Sequence, residues 1–275
     1  MAGRLGSIDI AALAAFSVFA MQSILSFMDM NAAVLAACLA VFLLAGFVKG
    51  VIGLGLPTVA VGLLSLVMPP VQAAALLIVP SMVTNVWQLL AGGAFLALAR
   101  RLWAMLAGIV IGTLAGSGFM GADGGRRAII FLGVALVLYA VAGLASFKFS
   151  VPAGQEKWWS PLIGVATGLV TAATGVFVIP AVPYLQALNL ERDELIQALG
   201  LSFTISTAAL AINLGQGGAF SGGVAGASAV VLLPALLGMA IGTWVRGRVK
   251  AATFRRCFFA GLLLLGLHLA SHILG

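Results

Sequence analysis

The stretch GFVKGVIGLGLPTVAVG, residues 46–62, decides how this chain is read. It sets Lys49, five glycines and Pro57 inside a long apolar run. Glycine and proline weaken a helix interior, and a charge in apolar surroundings is costly. A helix arriving at Gly46 and Gly50 is therefore expected to break at Gly53-Leu54-Gly55. A second, short helix then starts with Pro57 in its first turn, where a missing N–H costs nothing. At membrane depth such a break is tolerated only where the freed backbone faces protein or a watery cavity.

The surroundings of the break are those of a membrane protein. Of 275 residues, 63% are hydrophobic and 8% charged, with a mean hydropathy of +1.20. A soluble domain carries about 25% charged residues, so this chain cannot cover a water-facing surface. Apolar runs of about 20 residues, the length that spans a bilayer, recur from end to end. The net charge of +7 does not indicate a nucleic-acid partner, because the basic residues sit in short gaps between apolar runs, as topology signals do. Cys38 and Cys257 lie inside apolar runs and suggest neither a disulfide framework nor a metal site. Residues 1–30 resemble a signal peptide in Arg4 and the apolar stretch after it, but Asp9, Gln22 and Ser23 interrupt that stretch. A membrane-spanning or interfacial N-terminal helix is expected there.

The break has a counterpart. Gly46-x-x-x-Gly50 recurs 118 residues later as Gly164-x-x-x-Gly168, and at that separation Gly53 meets Thr171 and Gly62 meets Pro180. AGGAF at 91–95 recurs as QGGAF at 216–220, a separation of 125, which places an insertion around NLERDEL, residues 189–195. Ile111-Gly112-Thr113 then echoes Ile241-Gly242-Thr243, and Arg126-Arg127 echoes Arg255-Arg256. Ordered matches with slowly growing separation indicate a duplication. Its halves run over residues 31–148 and 158–275, joined by a polar linker at 149–157. In the first half five segments are expected, near 32–51, 56–68, 71–92, 103–120 and 127–147.

Loop charges orient the halves. The loop from Arg246 to Arg256 is the most basic and belongs in the cytoplasm. Residues 97–102 hold Arg100 and Arg101, whereas the matching 221–226 hold no charge. Equivalent loops thus carry opposite bias, as in inverted repeats, although Arg126 and Arg127 then fall outside. A parallel repeat with re-entrant segments is the alternative. Trp103, Trp158, Trp159 and Trp244 fall near segment ends, as interfacial aromatics do, while Trp87 reads as interior. The expected fold is an all-α polytopic membrane protein of two inverted repeats, about five segments each, with broken or short helices near the midplane and an extra N-terminal helix.

Two inverted halves would bring both breaks to one central site. A helix N-terminus there offers free N–H groups and the positive end of the helix dipole to an anion. Gly53, Gly55 and Pro57 supply this in the first half, and Thr171, Thr174 and Gly175 in the second. Each break is followed by a polar stripe: Ser81, Thr84, Asn85 and Gln88 on one helical face, then Ser202, Ser206, Asn213 and Gln216. Hydroxyls and amides can line a cavity for a small oxyanion or simply bind helix to helix. Lys49 is either an anion ligand or a side chain that snorkels to the nearby surface; its counterpart is Thr167. The glycines at 108, 112 and 116, and at 238 and 242, recur every four residues and read as close-packing positions.

The acidic residues Asp9, Asp29, Asp123, Glu156, Glu191, Asp193 and Glu194 all fall in loops or near segment ends. None can shuttle a proton at mid-membrane, and no aspartate pair can hold magnesium. His268 and His272 lack further ligands and read as a surface pair. No nucleophile–base constellation exists, so no enzyme and no cofactor is expected.

The paired Gly-x-x-x-Gly-x-x-Gly-x-Gly pattern, the following Ala-rich segment and the Gly-Gly-Ala-Phe turns resemble the TauE/SafE-type sulfite exporter family over about residues 32–273. The resemblance implies a polytopic inner-membrane carrier, in a bacterial cell, for small sulfur-containing anions such as sulfite or organosulfonates. It also implies backbone and hydroxyl contacts from Gly53, Gly55, Pro57, Thr171, Thr174 and Gly175. Family members often carry three glycines at the break; here the halves read Gly53-Leu54-Gly55 and Thr174-Gly175-Val176, which leaves the exact substrate open. A passive anion channel and a carrier of another organic anion are the competing readings. The expected partners are the anion, the bilayer and a coupling ion, either sodium or a proton that could travel on sulfite itself.

Overall fold

The computed structural model describes residues 32–145 and 150–271. The expected N-terminal helix over residues 1–30 and His272 lie outside them. The described residues form ten α-helices: α1 (Ala32–Ile52), α2 (Leu56–Leu64), α3 (Pro70–Leu90), α4 (Phe95–Ala115), α5 (Arg126–Ala145), α6 (Glu156–Thr174), α7 (Ala181–Ala187), α8 (Arg192–Gln216), α9 (Gly222–Arg246) and α10 (Ala251–Ala270). Without water to satisfy backbone N–H and C=O groups, an apolar segment in a bilayer must form its hydrogen bonds internally, and the helix does this. Seven of these helices, α1, α3, α4, α5, α8, α9 and α10, are long and apolar enough to cross. The chain is a multi-pass membrane protein. At nine and seven residues, α2 and α7 are each too short to span a bilayer alone.

Packing follows the duplication. α1 lies against α9 and α4 against α6, while α3 crosses α8 and α5 crosses α10. Exchanging the halves (α1 with α6, α3 with α8, α4 with α9, α5 with α10) returns the same pairs. Directions follow from the contacts. Gly46 meets Ala235 and Gly50 meets Met239, so α1 and α9 run parallel; Gly164 meets Met105 and Gly168 meets Ile109, so α6 and α4 do too. Gly200 sits on Leu89 while Asn85 bonds Thr207, so α3 and α8 run antiparallel. Gly133 sits on Ala270 and Gly143 on Phe259, so α5 and α10 are antiparallel as well. Equivalent helices that cross antiparallel are what inverted halves produce; a parallel repeat would set them parallel. The architecture is consistent with the inverted arrangement.

The seams are backbone against backbone. A Cβ on Gly46 would lie 2.0 Å from Ala235 O, and one on Gly238 1.9 Å from Leu43 O. Between α6 and α4, a Cβ on Gly164 would lie 2.2 Å from Met105 O. In lipid, where apolar burial drives little association, such close approach supplies the packing energy. Pro80, inside α3, frees the carbonyl of Leu76; the buried Ser228 hydroxyl of α9 donates to it at 2.7 Å and accepts from Val79 N–H at 3.0 Å. A neighbouring helix thus repairs the proline gap.

Two expectations are corrected. The segment expected at 103–120 is α4, beginning at Phe95, because Arg100 and Arg101 continue the helix beyond its apolar part and Arg101 pairs with Glu156 at 2.9 and 2.5 Å. Trp87, read as interior, lies in the last turn of α3 and is 72% exposed, an interfacial position like those of the other tryptophans.

Candidate functional site

The chain breaks where the glycines stand. Gly53 and Gly55 have φ of 80° and 105°, the left-handed region that side chains avoid. Gly53 N–H closes the last turn of α1 on Lys49 O at 2.7 Å, and Arg246 Nε of α9 caps it by donating to Val51 O at 2.9 Å. α2 then starts after Gly55 with Pro57 in its first turn, and Thr58 Oγ1 donates back to Gly55 O at 2.9 Å.

A cavity of about 780 Å³ opens beside this break. Gly53 just past α1, Thr84 and Gln88 from α3, and Thr243 from α9 form part of its wall. Lys49 also lines it, and is only 5% exposed. Its ammonium donates to Thr84 Oγ1 at 3.0 Å and to Asn85 Oδ1, and an ammonium has a third N–H beyond these. Behind Lys49 the network crosses between the halves: Asn85 Nδ2 donates to Thr207 Oγ1 at 3.2 Å, and Thr207 Oγ1 donates to Phe203 O at 2.7 Å. Gln88 Nε2 reaches α8 at Ile196 O, 3.1 Å away. Lys49 is thus held in a fixed position by neutral acceptors.

Four more cations complete the wall: Arg192, Arg246, Arg255 and Arg256, all exposed. Among the described residues, no aspartate or glutamate lines it. Sequence reasoning read these arginines only as topology signals and missed their convergence. The available signal was that the insertion at 189–195 and the loop at 246–256 both carry arginine and, if the halves are inverted, share one membrane face.

The other expected residues separate into groups. Gly55 and Pro57 are buried behind the break, a Cβ on Gly55 falling 2.9 Å from Val48 and 3.2 Å from Phe258. Thr171, Thr174 and Gly175 form the second break, where Gly175 has φ 72° and Thr174 Oγ1 accepts from Val176 N–H at 3.1 Å. That break packs on Ala74 of α3 and Val61 of α2 and is not part of the cavity wall. Asn213 Nδ2 donates to Thr113 O on α4 at 2.5 Å. The hydroxyls of Ser81, Ser202 and Ser206 are buried without a hydrogen-bond partner among the described residues, as is that of Thr113. Gln197, which sequence reasoning also missed, fixes the AGGAF turn: Nε2 donates to Leu89 O and Gly92 O, both at 2.8 Å, and Oε1 accepts from Ala94 N–H at 2.8 Å.

Comparison with protein-family models gives a match to the model described as sulfite exporter TauE/SafE, over residues 38–269. The chain belongs to the TauE/SafE family. The matched region holds all ten helices but for the first turns of α1 and the last residue of α10. A TauE/SafE chain is a membrane transporter, so the cation-lined cavity stands in a protein of anion export. Comparison with curated proteins and with solved structures gives no match.

Proposed function

We propose that this protein exports small sulfur oxyanions, sulfite or organosulfonates, by alternating access, and that the cavity ending at Lys49 is where the anion is captured. The observation that carries the reading is a cavity that, among the described residues, is lined by five cations and no carboxylate, its most buried cation held by neutral partners. Low-dielectric walls focus the field of the arginines and raise the local anion concentration. Lys49 then supplies a charged donor, with the Thr84 hydroxyl and Gln88 amide beside it. A charge-assisted bond to an oxyanion is about twice as strong as a neutral one. The anion also takes over the role of a counter-charge, which no described residue supplies to Lys49.

The face onto which the cavity opens carries Arg100, Arg101, Lys157, Arg192 and the loop from Arg246 to Arg256; the opposite face carries Arg126 and Arg127. The positive-inside rule makes the richer face cytoplasmic, in a bacterial inner membrane. A wall that takes in only one of the two breaks suits a carrier open to one side rather than a continuous pore. With no carboxylate in the wall, a proton moving with sulfite would travel on the anion. In proteoliposomes, radiolabelled sulfite should show saturable uptake that unlabelled sulfite on the far side accelerates. Linear, unsaturable flux would instead mean a channel, and absence of flux for every sulfur oxyanion would contradict the proposal.

A further inference from the structure

The cavity has a matching position in the other half. By the separations that pair the halves, Lys49, Gly53, Gln88 and Thr243 correspond to Thr167, Thr171, Asn213 and Thr113. The contacts agree with the pairing at Gly50 and Gly168, beyond which α6 runs on through Thr171 to Thr174, about one turn farther than α1. A Cβ on Gly50 would lie 2.8 Å from Thr243 N; one on its equivalent Gly168 would lie 2.5 Å from Thr113 N. Gln88 and Asn213 each reach across to a backbone carbonyl, Ile196 O and Thr113 O.

The two sets differ in state and in charge. The first lines an open cavity; Thr113, Thr167, Thr171 and Asn213 are all buried. The hydroxyls of Thr167 and Thr171 turn back onto Ile163 O and Thr167 O, both at 2.7 Å. The Thr113 hydroxyl is buried with no partner among the described residues. An unpartnered buried hydroxyl is unfavourable, and contact with water or a polar ligand removes that penalty. Lys49 is replaced by Thr167, and Arg246 by Gly116; only Arg255 and Arg256 find counterparts, in Arg126 and Arg127.

We propose that Thr113, Thr167, Thr171 and Asn213 line the second access cavity of this carrier, closed in the present conformation, and that it is a release site without a buried cation for the same sulfur oxyanion. This rests on the transport reading above. When the second cavity opens, α4 and α6 part as α1 and α9 close, and the Thr113 hydroxyl and Asn213 amide become free to donate to the anion. They hold its oxygens without a fixed positive charge. The anion is therefore bound tightly on the arginine face and loosely on the opposite face, a bias suited to export.

The test is sulfite transport by wild-type protein and Thr113→Val in proteoliposomes of known orientation, measured in each direction alongside the melting temperature. Wild type should show a lower KM from the arginine face than from the opposite face. Replacing an unpartnered hydroxyl by a methyl of the same shape should leave the melting temperature unchanged or raised. KM from the opposite face should rise several-fold, with KM from the arginine face unchanged. Equal KM values on both faces, or a variant that alters both or neither, would overturn the inference while leaving transport standing. Wild type that moves no sulfur anion overturns the transport reading and this inference with it. Should Thr113→Val not fold, Thr113→Cys in a background with Cys38 and Cys257 replaced gives a second readout. A membrane-impermeant thiol reagent should label it from the opposite face during turnover of a sulfonate; labelling from the arginine face, or none, contradicts the proposal.

Discussion

Lys49 is held by Thr84 and Asn85 rather than by a carboxylate, and this choice of partners has a consequence. A carboxylate would neutralise the ammonium and compete with an incoming anion; a hydroxyl and an amide orient it and leave its charge in place. A hydrogen bond to a charged group is worth about 1.5–3 kcal/mol, so Lys49→Gln should weaken sulfite binding by about tenfold or more, read by equilibrium titration of the purified protein. Unchanged affinity would return Lys49 to the role of a snorkelling side chain. Gln197 is a different case, since its three bonds to the α3–α4 turn are structural. Gln197→Ala leaves Leu89 O, Gly92 O and Ala94 N–H short of a partner, at about 1–3 kcal/mol. It should lower the melting temperature without changing sulfite affinity at temperatures where the variant stays folded.

At the scale of the helix, glycine plays two parts that its spacing tells apart. Gly46, Gly50, Gly238 and Gly242 form the α1–α9 seam, where added atoms meet backbone. Overpacking typically costs about 1–3 kcal/mol, and more when backbone must move. Gly46→Leu should therefore prevent stable folding in detergent, judged by size-exclusion profile, while Gly93→Ala, with open space around it, should have no effect. The spacing of four betrayed the seams in the sequence, and the spacing of two at Gly53 and Gly55 betrayed the break. In the first half, segment number and most boundaries were legible too, because uninterrupted apolar runs admit only helices in a bilayer. The start of α4 was not, since Arg100 and Arg101 look like a loop until Glu156, far along the chain, is known to pair with Arg101. Nor was the arginine wall legible, because Arg192 and Arg256 come together only through the packing of α8 and α10 around α1 and α3. The polar stripe was visible, but which of its members bond and which stay unpartnered depends on helix rotation, which a pattern of spacing does not fix.

For the molecule as a whole, the charge distribution and the open cavity make one claim: anions are drawn in from the arginine face and stop at Lys49. Attraction by exposed arginines is screened as the Debye length falls from about 30 Å at 0.01 M salt to about 8 Å at 0.15 M. Raising ionic strength across that range with an ion that does not bind should slow sulfite association from that face more than it slows dissociation, measured by stopped-flow. Rates that ignore salt would remove the arginine wall from the mechanism. The most direct measurement is ligand-induced thermal stabilisation of purified wild type and Lys49→Gln with sulfite, sulfoacetate, thiosulfate, sulfate, taurine and simple carboxylates, because a ligand that binds only the folded state raises its melting temperature. A rise for wild type with at least one sulfur oxyanion, none with the carboxylates, and a much smaller rise for Lys49→Gln is the predicted result. Equal shifts in both proteins, or no shift with any sulfur oxyanion, would contradict the account of the cavity as the capture site.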